Sequence, residues 1–283
     1  DPLGDLPQEA VRLLLDQIAR HSDLESRPRM LPLLMVLGAC PQPPMEYTFN
    51  SIVEGLFAEN LVPSGDVLDV GAHDGAWACM YACFQPQRTI RAVDPSSHLL
   101  HSRKCAHANL HKHVAAMSNV TGTVANKRPN GYAKLESAAN GDTAMETIDS
   151  LFLRAWDAHL GLAHLDVEGF EEQVVRGGEA VLRRDRPIVT YEVHASRPSA
   201  TSMLLLMEQL AYKSYIVHES CGMSRDCRNV LAFPRERMAS LSGSATLDLA
   251  VRGQLLSAVN STNVWSDRRA SSWYDAKHFW RVR

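Results

Sequence analysis

The sequence has 283 residues, of which 45% are hydrophobic and 22% are charged, a composition ordinary for a soluble globular protein. The formal net charge of −3 argues against broad electrostatic binding of nucleic acid. No apolar run approaches the ~20 residues needed to cross a bilayer, so no membrane span is expected. We expect a cytoplasmic location, with a processed organellar or secreted form as the alternative.

Residues 1–45 are predicted to form a helical accessory region. Apolar residues recur at helical spacing between Pro7 and His21, which predicts an amphipathic helix there. Five prolines between Arg27 and Pro44 predict an irregular connector. A second helix is predicted over Phe49–Leu61.

From Asp66 onward, short apolar runs alternate with helical stretches. This alternation predicts a doubly wound, mostly parallel seven-stranded α/β sheet of the Rossmann-like type within residues 46–239. The predicted strands are Val67–Val70, Ile90–Val93, Val114–Met117, Leu162–Val167, Pro187–Val193, Tyr212–Val217 and Asn229–Phe233.

The segments between the strands follow from composition and periodicity. Helices are predicted over Glu171–Arg184 and Leu204–Leu210. Residues 122–142, rich in Gly, Asn, Ala and Lys, are predicted to form a mobile loop or an irregular hairpin. Residues 240–283 are expected to be a C-terminal extension packed on the domain or on a partner.

A glycine-rich turn after the first predicted strand is the sharpest local signal. In Asp69-Val-Gly71-Ala-His73-Asp-Gly75, the glycines allow the backbone to approach a ligand closely. The start of the next helix offers exposed amides for a carboxylate or phosphate. Because the Gly71-x3-Gly75 spacing differs from the dinucleotide fingerprint, it favours a cofactor without a pyrophosphate over NAD.

Asp94 ends the second predicted strand, nineteen residues after Gly75 (94 − 75). A carboxylate at this place can accept both ribose hydroxyls of an adenosine. The alternative is that Gly71 and Gly75 only form a tight turn while Asp94 caps the next helix through Ser96 and Ser97. The two features together favour an adenosine site.

These residues resemble the FkbM family of methyltransferases over roughly residues 50–235. The resemblance rests on Asp69–Gly75, Val93-Asp-Pro-Ser96, Leu165-Asp-Val-Glu-Gly-Phe-Glu171, Glu172–Gly178, Ala180–Leu182, Arg186–Glu192 and Asn229–Ala232. It implies a class I methyltransferase fold, S-adenosylmethionine as methyl donor, and a hydroxyl acceptor on a sugar or another small molecule. Family members usually have Asn at the position of His73 and Glu at that of Asp94.

Two sets of site residues follow from the motifs and the resemblance. The cofactor-binding set is Asp69, Gly71, His73, Gly75, Asp94, Pro95 and Met117. The catalytic set is Asp166, Glu168 and His194. His73 contacts the cofactor or merely caps the turn.

Alternate residues of a strand point to the same face, so Asp166 and Glu168 are expected to converge beside the methyl-transfer site. Asp166 is then a base or metal ligand, or it fixes neighbouring amides. Glu168 contacts substrate or metal, or it caps the following helix. Glu192 and His194 end the next strand, and either is a candidate base.

No metal site is assigned, and a divalent metal is kept only as a weakly supported addition to S-adenosylmethionine. The histidines between His98 and His113 are predicted to lie on a solvated helix. Cys79 and Cys83 are expected to share a helix face as packed thiols rather than as a metal site. The Cys221/Cys227 pair is expected to be free, with a disulfide in an oxidising compartment as the alternative.

The predicted activity is O-methylation of a hydroxyl on a small molecule or glycan. The alternatives are N-methylation or modification of a protein or glycan, and a non-catalytic assembly module that keeps the fold. No nucleic-acid partner is expected, and no oligomeric state follows from the sequence.

Overall fold

The structure is a computed structural model that describes residues 40, 46–97, 105–126, 135–137, 141–194, 198–221 and 226–262. The predicted helix over Pro7–His21 and most of the predicted connector lie outside the described residues. So does the chain after residue 262. Within the described part, no helix combines the length and the apolar character that a membrane crossing requires.

Twelve strands and eight helices follow one another along the described chain. The strands are β1 (Asp66–Val70), β2 (Ile90–Asp94), β3 (Leu110–Val114), β4 (Ala116–Met117), β5 (Gly122–Asn126), β6 (Leu135–Ser137), β7 (Thr143–Glu146), β8 (Leu160–Leu165), β9 (Ile188–His194), β10 (Tyr212–Ser220), β11 (Cys227–Pro234) and β12 (Leu256–Val259). The helices are α1 (Tyr47–Ala58), α2 (Ala76–Phe84), α3 (Ile148–Ser150, continued by a π-helical turn over Leu151–Ala155), α4 (Glu171–Arg176), α5 (Glu179–Asp185), α6 (Pro198–Gln209), α7 (Met238–Leu241, after a 3-10 turn over Arg235–Arg237) and α8 (Ala245–Arg252).

The main sheet has eight strands in the order β12-β10-β11-β9-β8-β1-β2-β3. Strands β3, β2, β1, β8 and β9 pair in parallel, whereas β11 and β12 run antiparallel to their neighbours. The mostly parallel, Rossmann-like sheet is confirmed, but the count of seven strands is wrong, because β12 adds an edge strand beside β10. The proposed boundary at residue 239 stays a prediction, although β12 shows that the sheet continues beyond it.

Helices cover both faces of the main sheet, as a doubly wound fold requires. One hydrophobic core joins alternate strand residues such as Leu68 and Val189 to helices α3 to α6. The other joins the opposite side chains, such as Val67 and Ile188, to α1, α2 and α8. The central strand β8 is buried along its whole length, which explains its nearly continuous apolar sequence.

Two predicted elements are wrong in their bounds. The third strand of the main sheet is Leu110–Val114, while Ala116–Met117 pairs with β7 in a second, four-stranded sheet. The predicted single helix over Glu171–Arg184 is two helices, because Gly177 and Gly178 separate α4 from α5. A Cβ on Gly177 would lie 2.0 Å from the Ser118 carbonyl oxygen, so close packing demands glycine here.

The remaining local predictions have mixed outcomes. The segment 122–142 contains an antiparallel hairpin of β5 and β6, as one of the two alternatives had it. His111 and His113 lie on strand β3 rather than on a helix, so the predicted histidine-rich helix is wrong there. His98 and His101 lie outside the described residues.

Candidate active site

The loop between β1 and α2 takes backbone conformations that favour glycine. Gly71 and Gly75 have φ angles of 82° and 77°. A Cβ on Gly71 would lie 1.7 Å from the backbone oxygen of Asp166, at the end of β8. The loop is therefore packed directly against the neighbouring strand end, and a larger residue would push the two apart.

His73 occupies a turn position that explains its departure from the usual family residue. Its φ of 45° lies in the left-handed region, where asparagine, aspartate and histidine are enriched among non-glycine residues. Its backbone N–H donates a hydrogen bond of 2.9 Å to Asp94 Oδ2. Histidine thus satisfies the same backbone requirement as asparagine, and a side-chain contact with the cofactor stays a prediction.

Asp94 joins the loop to the end of β2. Its Oδ1 accepts a 2.7 Å hydrogen bond from the Ser96 N–H, and its Oδ2 accepts the one from His73. Burial raises its pKa, and these two backbone hydrogen bonds oppose that shift. A carboxylate offers about four lone-pair positions, so capping the turn leaves acceptors for two ribose hydroxyls.

The amides at the start of α2 are less available than the sequence suggested. The Ala76 N–H donates to Asp74 Oδ1 at 3.2 Å, and the Ala78 N–H donates to the buried Asp69 carboxylate. These internal partners replace the ligand carboxylate or phosphate that was expected there. The expectation of exposed amides is therefore wrong at both positions.

The charge around the loop favours a cationic ligand. Asp69 is only 1% exposed, and its pKa is raised to about 8, first by burial and next by Asp166. Asp94 and Asp74 raise it further. The carboxyl groups of Asp74, Asp94 and Asp166 would repel a pyrophosphate but attract a sulfonium and an ammonium group. These residues fit S-adenosylmethionine better than NAD.

Pro95 and Met117 lie next to the same strand end. The Pro95 carbonyl oxygen accepts a 3.0 Å hydrogen bond from Asn126 Nδ2, which links the loop after β2 to β5. Met117, 7% exposed, ends β4 and belongs to the core that contains Val93. Their contacts with a cofactor stay predictions.

Asp166 and Glu192 bring two carboxyl groups together at the ends of neighbouring strands. They follow β8 and lie near the end of β9, which pair in parallel. The two side chains are hydrogen bonded, and the pKa of Glu192 is raised, first by burial and next by Asp166. Burial and the neighbouring Asp166 thus favour the protonated form of Glu192.

Glu168 is exposed and has a φ of 56°, so it does not share the environment of Asp166. No side-chain hydrogen bond caps the start of α4, so Glu168 does not have the helix-capping role considered for it. Glu171, the first residue of α4, instead holds the loop before the helix, because its Oε1 accepts hydrogen bonds from the Val167 N–H at 3.2 Å and the Gly169 N–H at 3.0 Å. Glu171 was missed as a site residue, because its burial and its contacts with that loop are not visible in the sequence.

His194 stands at the end of β9 with its side chain only 10% exposed. Its Nδ1 lies 3.4 Å from Asp226 Oδ1, and its Nε2 lies 3.8 Å from Glu192 Oε1. Nε2 is buried and has no hydrogen-bond partner. The structure thus brings His194 to the Asp166–Glu192 pair, beside which an acceptor would be positioned.

A cavity opens next to this pair, between the loop after β8, the end of β9 and helix α6. Its walls are rich in carboxyl and other hydrogen-bonding groups. The lining residues are Gly169, Glu171, Glu172, Gln173, Glu192, Val193, His194, Ser199, Ala200 and Met203. Three of these residues, Glu171, Glu172 and Glu192, carry carboxyl groups.

Two disulfides change the expectation for the cysteines. Cys221 and Cys227 are bonded across the start of β11, so the prediction of a free pair is wrong. Both sulfurs lie against Glu192. Cys83 is bonded to Cys40, with a Cα–Cα distance of 5.7 Å, so the prediction of a packed thiol is wrong for Cys83. It is confirmed for Cys79, which is buried and in no disulfide.

The glycine turn after β1, the acid at the end of β2 and the doubly wound sheet together define a class I, Rossmann-like methyltransferase. The family model of the methyltransferase FkbM domain matches residues 69–214, about half of the chain. The protein therefore belongs to the FkbM methyltransferase family. Membership implies S-adenosylmethionine as cofactor, in agreement with the charge of the site.

Several solved structures are similar to this chain at low sequence identity. The FkbM methyltransferase of Methylobacillus flagellatus is 12% identical with a TM-score of 0.44, over 82% of this chain and 61% of that one. This chain thus spans less than two thirds of that relative. A precorrin-6y C5,15-methyltransferase of Geobacter metallireducens is 10% identical with a TM-score of 0.39, over 69% and 93% of the two chains.

A TehB-like SAM-dependent methyltransferase of Corynebacterium glutamicum is 11% identical with a TM-score of 0.36, over 80% and 97% of the two chains. No curated protein sequence matches this chain significantly.

Proposed function

We propose that this methyltransferase transfers a methyl group from S-adenosylmethionine to a hydroxyl of a neutral, hydroxyl-rich small molecule or glycan. The observation that carries the proposal is the hydrogen-bonded Asp166–Glu192 pair at the ends of β8 and β9. Because Gly71 packs on the Asp166 backbone, this pair lies beside the cofactor loop. A base in that position is what transfer to an alcohol requires.

The cofactor is assigned to the loop Gly71–Gly75 and to Asp94, with Pro95 and Met117 at the adjacent strand ends. Asp94 holds the ribose hydroxyls, and Asp69 contributes negative charge from beneath the loop. When bound, S-adenosylmethionine supplies a methyl group activated by a sulfonium. The residues of the chain then have to orient an acceptor in line with it and remove one proton.

Asp166 is assigned as the base that receives the proton of the acceptor hydroxyl. Protonated Glu192 keeps the Asp166 carboxylate oriented by donating a hydrogen bond to it. His194, whose Nε2 has no partner, and the exposed Glu168 are assigned to contacts with the acceptor at the mouth of the cavity. These roles require no metal ion.

The acceptor class follows from the cavity wall. Glu171 and Glu172 accept hydrogen bonds, Ser199 can both donate and accept, and Gln173 Oε1 is buried without a partner. Hydroxyl groups satisfy such a wall, whereas a phosphate or carboxylate on the acceptor would be repelled. The carboxyl groups would also attract a protonated amine, so the experiment has to test N-methylation as well.

The test measures transfer of radiolabelled methyl from S-adenosylmethionine to three matched probes: methyl hexosides, hexose phosphates and amino sugars. We expect transfer to the hexosides and little to the phosphates. Transfer to the amino sugars alone would replace O-methylation by N-methylation. Absence of S-adenosylmethionine binding by calorimetry would overturn both.

Two variants locate the chemistry. We expect Asp166→Asn to lower kcat by about a hundredfold or more, a larger change than in the Kd for S-adenosylmethionine. The control is Glu179→Gln, in an exposed ion pair with Arg183 on α5, which should keep full activity. Full activity of Asp166→Asn would refute the assignment of the base.

A further inference from the structure

Cys79, Cys105 and His107 form a cluster that the methyl-transfer site does not use. Cys79 lies in α2, and the other two residues lie on the segment that leads into β3. Their Sγ and imidazole nitrogen atoms all lie within 4.8 Å of one another. Sequence spacing alone did not show this cluster, because Cys79 comes from a different element.

Neither cysteine of the cluster is in a disulfide, and the two thiols are hydrogen bonded to each other. The chain's other four cysteines are bonded in pairs, as Cys40–Cys83 and Cys221–Cys227. The second group of potential ligands among the described residues is Glu192, Cys221 and Cys227. Its sulfurs are joined in a disulfide and are not available as thiolates, so the Cys79 cluster is the better candidate for a thiophilic metal.

The cluster is held in place by the fold rather than by chance contacts. Asn109 Nδ2 donates hydrogen bonds to the carbonyl oxygens of Ala82 at 3.2 Å, Gln85 at 3.0 Å and Arg88 at 3.0 Å. These bonds fix the segment carrying Cys105 and His107 to the C-terminal part of α2. The ligand atoms are thus brought together before any ion binds, which lowers the cost of ordering them.

The exposure of the three residues suits an ion that enters from solvent. Cys79 is 3% exposed, Cys105 is half-buried and His107 is exposed, so an ion can enter from the surface while one ligand is shielded. Two thiolates and one imidazole are a donor set that zinc prefers, with a fourth position left for water.

We propose that Cys79, Cys105 and His107 form a zinc site that ties helix α2 to the start of β3. The site is separate from the Asp166–Glu192 pair and does not depend on the proposed acceptor. Because the Cys79 N–H donates a 2.8 Å hydrogen bond to the Gly75 carbonyl, zinc would also brace the first turn of the helix that follows the cofactor loop.

The experiment uses protein freed of metal with a chelator and kept without thiol reductant, so that the two disulfides stay intact. Zinc is titrated in competition with a chromophoric chelator, and cobalt is added separately to report thiolate ligation through its charge-transfer absorption. We expect one zinc per chain and cobalt absorption from tetrahedral coordination. Thiol labelling of Cys79 and Cys105 should be blocked by zinc.

Three variants make the result specific. We expect His107→Ala and Cys79→Ser each to weaken zinc binding by about a hundredfold or more. The exposed His107 can be replaced without disturbing the core, so it tests the site even if Cys79→Ser does not fold. The matched control is His111→Ala, an exposed histidine on β3, which should bind zinc like the wild type.

The proposal is overturned if zinc fails to bind, or if His107→Ala binds it with wild-type affinity. It is equally overturned if Cys79 and Cys105 prove to be bonded to each other in the purified protein. None of these results bears on S-adenosylmethionine binding, so failure of the zinc site and failure of the proposed activity can be told apart.

Discussion

Replacing Asp69 with asparagine is expected to remove a pH dependence from cofactor binding. Asp69 is 1% exposed, and its pKa is raised from 3.8 to about 8, first by burial and next by Asp166. In the ligand-free protein it is therefore mostly protonated below pH 8. S-adenosylmethionine brings a sulfonium and an ammonium charge, which favour the ionised carboxylate. Binding should thus expel a proton from Asp69.

The size of the effect follows from linkage. Release of one proton raises the association constant at most tenfold per pH unit below the pKa, and the rise stops above it. Between pH 6 and pH 8 we expect a gain of about tenfold to a hundredfold. S-adenosylhomocysteine has the ammonium but lacks the sulfonium, so its affinity should change less over the same range.

Calorimetric titrations between pH 6 and pH 9, in two buffers of different ionisation enthalpy, measure both the affinity and the number of protons released. Asp69→Asn should release fewer protons and show a flatter profile, whereas the control Asp248→Asn, exposed on α8, should behave as the wild type. An unchanged slope in Asp69→Asn, or a wild-type affinity independent of pH, would refute the reasoning.

The same carboxyl group affects the stability of the ligand-free protein. The folded state binds the Asp69 proton more tightly than the unfolded chain does. The stability that this proton contributes is therefore complete below pH 3.8 and is lost as the pH rises through about 8. From pH 5 to pH 8 this loss amounts to about 3 kcal/mol. Urea unfolding should show a shallower decline for Asp69→Asn than for the wild type.

Further predictions concern the glycine turn and the disulfides. Gly71→Ala should lower the unfolding temperature and abolish cofactor binding, because the added Cβ would lie 1.7 Å from a backbone oxygen and the residue has a φ of +82°. The control is Gly243→Ala, whose added Cβ would have no atom within 4 Å. Equal stability of the two variants would contradict the prediction. Loss of the Cys40–Cys83 bond should cost about 4 kcal/mol and loss of Cys221–Cys227 about 2 kcal/mol, because the bonds span separations of 43 and 6 residues. Denaturant unfolding of Cys83→Ser and Cys227→Ser measures both, and the reverse order would be the contrary result.

The strands that sequence reasoning located well are those buried on both faces. The predicted strand Val67–Val70 lies within β1, and the predicted strand Leu162–Val167 overlaps β8 (Leu160–Leu165). Both are apolar runs because helices cover both of their sides. Edge strand β3, with the sequence Leu-His-Lys-His-Val, has no such run because it is only partly buried. The nearest apolar run, Val114–Met117, is therefore predicted as the strand, but its residues Ala116–Met117 are buried in the second sheet.

The break between α4 and α5 is visible in the sequence as two consecutive glycines, although the helical spacing of the apolar residues predicts a single helix. Gly177-Gly178 interrupts the apolar pattern of Glu171–Arg184, and two consecutive glycines are a turn signal that the prediction of one continuous helix did not use. What requires them is tertiary: Gly177 packs on the backbone of Ser118, and Gly178 on the side chain of Ile148. Such contacts are not visible in a single sequence.

The sequence predicts those site residues that lie at the ends of predicted strands. Asp166 and Glu192 each follow an apolar run, and the parallel pairing of β8 with β9 brings them to one edge of the sheet. The raised pKa of Glu192 is not a property of either strand, because it depends on burial and on the nearby Asp166 carboxyl group. Glu168, two residues after Asp166, lies outside the pair. Its backbone is left-handed, so the chain turns away and the two side chains do not share a strand face. Same-face reasoning holds only while the strand lasts, and β8 ends at Leu165.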